Sequence, residues 1–156
     1  MVALVGLFSA FTCNAQQSCV DQTRGTGTMH TEQVVLVNDS GEEVTVTALV
    51  ADDGFERASG FQFICADVID QTFILFKYQQ PINGRFHMQN VRAPLDIAFF
   101  DHEGRLLQWM KMETYTETSR PLYGPDQPFQ YALEARPGFF AANNILSTDS
   151  RMKMIK

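Results

Sequence analysis

At 156 residues, 45% hydrophobic and 19% charged, the chain has the size of one globular domain with a real core and leaves no room for a second full domain. Its formal charge of -6 excludes a nucleic-acid surface, which needs clustered Lys and Arg to neutralise phosphates. Small solutes or proteins are the expected partners, and the basic group Arg151, Lys153 and Lys156 reads as a solvated tail.

The chain opens with an apolar run from Val2 to Phe11, followed by small and polar residues. This is the layout of a signal-peptide core and its cleavage region, and it is too short to span a bilayer. "CNA" at 13–15 predicts cleavage after Ala15, although no Lys or Arg precedes the run. The alternative is a lipid anchor at Cys13, where "AFTC" resembles a lipoprotein box with Thr12 in the place of a smaller residue. Either way the expected location is exported, periplasmic or envelope-associated, with no transmembrane span in the mature chain. Once residues 1–15 are removed, Cys19 and Cys65 remain, and the sequence leaves open whether they form a disulfide in an oxidising space or stay as free thiols.

Residues 16–31, "QQSCVDQTRGTGTMHT", are polar and Gly/Thr-rich without an apolar period and read as a linker, with the domain proper at 32–156. "QVVLV" and "VTVTALVA" flank "NDSGEE", and the alternation of Val44, Val46, Ala48 and Val50 with threonines predicts a β-hairpin. In "DDGFERASG", Asp52 or Asp53 can cap a short helix that Gly60 ends. Strands are expected at 72–78, 84–90, 95–101, 105–115 and 129–135, each rich in aromatic and β-branched residues and set off by Pro, Gly or Asn. "DHEG" at 101–104 is a tight turn carrying His102, and 119–128 is a Pro-rich loop. A second short helix follows Pro137, and "RMKMI" is expected to close as an edge strand.

"FERASGFQ", "FHMQNVRAPLDIAFFDHEGRLL" and "YALEARPG" together resemble the bacterial and archaeal family called domain of unknown function 192. The resemblance runs in unbroken order from about residue 32 to 156. It implies a mainly β fold, a distorted β-barrel or sandwich with one or two short helices, frequently behind a signal peptide, and it brings no established activity. The motif positions fall on Glu56, Arg57, Gly60, Phe86, Met88, Asn90, Pro94, Leu95, Asp96, Tyr131, Leu133 and Glu134. Within the signature, His87 stands where Trp is usual and Gln89 where Lys is usual, so a role that needs an indole or ammonium there does not carry over.

No nucleophile elbow, Cys/His dyad, phosphate loop, zinc spacing or dinucleotide fingerprint is present, and no cofactor or metal is expected. The candidate binding residues are His87, Gln89, Asn90, Asp96, Arg57 and Glu56. In a strand, His87 and Gln89 share one face, Met88 and Asn90 the other, so the first pair suits recognition of a small polar ligand as well as a solvated face. Arg57 is expected to meet Asp96 and fix the helix against the turn at Pro94, and Glu134 reads as rim or surface. Trp109, Tyr115 and Tyr123 read as core. The favoured function is a small-molecule-binding or interaction module of the cell envelope. The alternative is a metal-independent hydrolase or lyase using Asp96 with His87 or Glu56.

Overall fold

The computed structural model describes residues 18–154; the signal-peptide and Cys13 readings lie outside them. The expected alternation becomes β1 (His30–Val37), β2 (Glu43–Ala51), β3 (Ile74–Ile82), β4 (Leu95–Phe100), β5 (Leu106–Met112), β6 (Phe129–Ala135) and β7 (Arg151–Met154). The helices are short: α1 (Arg24–Thr28), α2 (Gly54–Ser59), α3 (Ala66–Ile69) and α4 (Phe139–Ala142). Asp53 caps α2 as expected, accepting the Glu56 N–H at 2.8 Å, and Gly60 ends it at φ +46°.

The strands form a single sheet in the order β5-β4-β6-β3-β2-β1-β7. Neighbours are antiparallel except β2 and β3, a parallel pair that needs a crossover, supplied by α2 and α3. The fold is therefore mainly β, as expected, with a sheet whose ladder does not close. The two edges still touch at one end. Met152 donates its N–H to Gly104 O at 2.7 Å, and Leu106 donates to Ser150 O at 3.1 Å. This approach needs glycine: a Cβ on Gly104 would lie 2.1 Å from the Met152 carbonyl oxygen, and its φ is +79°.

Both faces of the curled sheet are covered, so its central strands are buried on two sides. Ile74, Phe76, Leu95, Ile97, Phe99 and Ala132 face a first core with Phe61, Ile64 and Ile69 from the crossover. Leu75, Ala98, Phe100 and Leu133 face a second core, closed by Phe139 and Phe140 of α4 and by Leu106 and Met152 from the two edges.

Two expectations change. Within 18–31, the stretch read as a linker carries α1, a buried Met29 and a disulfide from Cys19 to Cys65. It lacks an apolar period because other contacts hold it. Thr23 and Thr26 cap each other reciprocally, and Gly25 packs so closely on α2 that a Cβ there would sit 2.0 Å from Ser59 Oγ. Residues 84–90 form no strand. Phe86 alone bridges to Tyr123, in the Pro-rich loop, and Gln89 and Asn90 turn the chain. The ring of Phe86 explains this: it inserts among Phe76, Phe99 and Phe129, at centroid distances of 4.9, 5.6 and 6.1 Å, and so draws the backbone off any ladder.

Candidate ligand-binding site

The acid on the central strand β6 organises the site. Glu134 pairs in register with Ile74 on β3 and Ile97 on β4, on the face of the first core. It is 5% exposed, and its Oε2 meets no hydrogen-bond partner among the described residues. Burial pushes its carboxyl from an ordinary 4.5 up to about 8, so at neutral pH it is mostly the uncharged acid. The reading of Glu134 as rim or surface is thus corrected. Alternation with Leu133 does turn it to the opposite face, but the helix-covered side of the sheet is core as well.

A cavity of about 120 Å³ opens over Glu134, walled by Arg57, Tyr78, Arg85, Phe86 and His87. Arg57 reaches it from the last turn of α2, donates Nη1 to Lys77 O at 3.1 Å, and lays its guanidinium 4.9 Å from the Tyr78 ring centroid. Burial pushes the Tyr78 hydroxyl above its usual value, with Arg57 opposing and Glu134 adding to the rise. Arg85 donates to Gly124 O and lies 3.7 Å from Asp126.

The outer wall is held by three devices. Phe86 is anchored in the core and exchanges backbone hydrogen bonds with Tyr123 at 2.7 and 2.9 Å. Asn90, at φ +60°, donates Nδ2 to Gln62 Oε1 at 3.1 Å, and its carbonyl accepts the Phe63 N–H at 2.8 Å. Between these anchors His87 is exposed at the rim, and its Nδ1 accepts the Gln89 N–H at 3.3 Å. The neutral imidazole therefore carries its proton on Nε2, as a donor.

Of the candidate residues, Arg57 and His87 share this cavity. Gln89 and Asn90 lie beside it, in a shallow cleft with Tyr115, Thr116 and Arg120. Glu56 is buried and accepts the Asp52 N–H on Oε2 at 3.2 Å, steadying the start of α2. Asp96 is on the opposite face, where its Oδ2 accepts the Gly138 N–H at 2.8 Å beside α4. Burial raises its pKa, while the Gly138, Phe139 and Phe140 amides and Lys111 pull it down. The expected meeting of Arg57 with Asp96 does not occur, because Asp96 alternates with Leu95 and Ile97 and turns away from the helix-covered core. The same alternation separates Asp96 from His87. The sequence reading named Glu134 as a motif position but set it at the rim and left it out of the binding residues; the signal for its burial is that it stands within a strand between apolar Leu133 and Ala135.

Fold and site together define a β-rich domain with a small, donor-lined cavity over an acid of its central strand. The chain belongs to the domain of unknown function 192 family, DUF192, described as Uncharacterized ACR, whose model matches residues 35–153. Among solved structures it is similar to a protein of Sinorhizobium meliloti 1021 described as a candidate transcription regulator, with 21% identity and a TM-score of 0.70 over 81% of this chain and 95% of that one. It is also similar to a protein of unknown function from Novosphingobium aromaticivorans DSM 12444, with 21% identity and a TM-score of 0.66 over 80% and 86% of the two chains. At this identity the likeness is one of fold. No curated protein matches. No helix among the described residues is long and apolar enough to cross a membrane.

Proposed function

We propose that this protein is a small-molecule-binding module of the cell envelope, with its site in the cavity of Arg57, Tyr78, Arg85, His87 and Glu134. The observation that carries the reading is the partnerless Oε2 of Glu134, in a side chain 5% exposed at the wall of that cavity. A buried carboxyl oxygen without a hydrogen bond costs stability, and Glu134 differs from Asp96, whose Oδ1 is likewise partnerless, in lining a cavity that a ligand can enter. Gln89 and Asn90, in the adjoining cleft, are the outer contacts for a ligand that extends beyond the rim. The envelope location is supported by the apolar run at 2–11 and by the Cys19–Cys65 disulfide, which persists in oxidising compartments.

The test is native mass spectrometry of the protein purified from the envelope fraction of its own cells. A retained small molecule that is lost from the Arg57→Gln variant supports the site. A mature mass beginning at Gln16, or at an acylated Cys13, supports export, whereas retention of Met1 in a cytoplasmic fraction refutes it.

A further inference from the structure

Resting on that reading, we infer that the cavity takes a small organic carboxylate, its anionic end on the Arg57 and Arg85 guanidiniums and a second polar group, such as a hydroxyl or carbonyl, on the Glu134 carboxyl. Arg57 uses one N–H on Lys77 O, and Arg85 uses one on Gly124 O and lies 3.7 Å from the exposed Asp126; a guanidinium carries five, so both keep donors for a ligand. His87 presents Nε2–H because Nδ1 accepts from Gln89. The rim is therefore rich in donors.

Charge points the same way. In a chain of formal charge -6, two guanidiniums and one acid line this cavity, burial keeps that acid mostly uncharged at neutral pH, and Asp126, which pairs with Arg85, lies in solvent outside the lining. A cationic ligand would face Arg57 and Arg85 and would need Glu134 to ionise in an apolar setting. An anion needs neither. Arginine forks match carboxylates in geometry and supply charge-assisted bonds. The neutral Glu134 adds one donor and one acceptor at the floor, which suits a hydroxyl or carbonyl.

Size and lining choose between anions. At about 120 Å³ the space suits a ligand of a handful of non-hydrogen atoms, a water claiming about 30 Å³ of liquid. Phe61, Phe76, Phe86 and Val91 also line it, an apolar surface that a short carbon body covers and a bare inorganic anion leaves uncovered.

The experiment titrates the purified protein with acetate, lactate, pyruvate, methylamine, ethanolamine and inorganic phosphate, following the backbone amides of Gly60, Phe61 and His87 by NMR. Lactate or pyruvate should shift these amides saturably. Arg85→Gln, at a half-exposed position, should weaken that binding by roughly tenfold, the usual effect of losing a charge-assisted bond. Glu134→Gln, which keeps a donor and an acceptor, should bind within about threefold of wild type, and Glu134→Leu, which keeps neither, should lose roughly tenfold. Saturation by the amines, abolished in Glu134→Gln, would overturn the carboxylate class and leave the cavity as a binding site for cations. Saturation by phosphate with no response to lactate or pyruvate would overturn the organic assignment. If none of the probes moves these amides and the native protein carries no small molecule, both the ligand class and the binding reading fall.

Discussion

Replacing Glu134 with Gln keeps the shape of the side chain and removes its titration, so the variant isolates what the buried acid does to stability. The carboxyl titrates at 4.5 when exposed and at about 8 in the folded protein. Between those values the native state holds a proton that the unfolded chain has released, so unfolding free energy falls as pH rises. The contribution is fully present below pH 4.5, is lost progressively up to about pH 8, and is flat above. At about 1.4 kcal/mol per pH unit, the whole span corresponds to about 5 kcal/mol, and the loss by pH 7 to about 3 kcal/mol. Glu134→Gln should therefore match wild type near pH 4.5 and exceed it by about 3 kcal/mol at pH 7. Urea unfolding of both proteins at pH 5, 6, 7 and 8 gives the difference directly. Arg57, Tyr78, Arg85 and His87 wall the same cavity but are common to both proteins, so their own titrations largely cancel. Curves that run parallel within about 0.5 kcal/mol would refute the reasoning, since they would mean that Glu134 ionises in the fold as easily as in water.

Asp96→Ala strands the Gly138 N–H in the second core and should cost about 1–3 kcal/mol in chemical denaturation, while His87→Ala, at an exposed rim, should stay within about 0.5 kcal/mol of wild type. Replacing both Cys19 and Cys65 with Ser frees a segment closed over a sequence separation of 46 and should cost about 4 kcal/mol by loop entropy, seen as a lowered Tm that reducing agent reproduces in wild type. Gly104→Ala forces a methyl against the Met152 carbonyl and should cost about 2 kcal/mol or more, with hydrogen exchange quickening at the Leu106 and Met152 amides before the rest of the sheet.

Strand positions were legible because alternation and turn chemistry act locally. Val44 to Val50 declare a strand wherever the partner lies, and Asp53 with Gly60 bounds a helix by backbone chemistry alone. The surroundings of Glu134 were not legible from local pattern, because a period of two says which residues share a face and is silent on whether that face is covered. The same gap placed Arg57 beside Asp96. Residues 84–90 misled for another reason: Phe86 and Met88 have the spacing of a strand, yet they are held by burial among aromatic rings rather than by a ladder. α1 was hidden because reciprocal threonine caps and a glycine contact, not an apolar stripe, support it.

The place of β7 in the sheet sets when one edge of the β1–β2 hairpin is covered during folding. It pairs with Val34–Val37 of β1, so the hairpin of β1 and β2 can form early but must wait for residues 151–154 before its outer edge is covered. Until then Val34 and Leu36 border an open row of backbone donors and acceptors, the kind of template on which nascent chains associate. Docking of β7 is therefore the step that removes this association-prone edge. Substitutions at Met152 that weaken docking would lengthen that exposed interval and lower yield, while leaving the cavity over Glu134, which Met152 does not line, chemically unchanged.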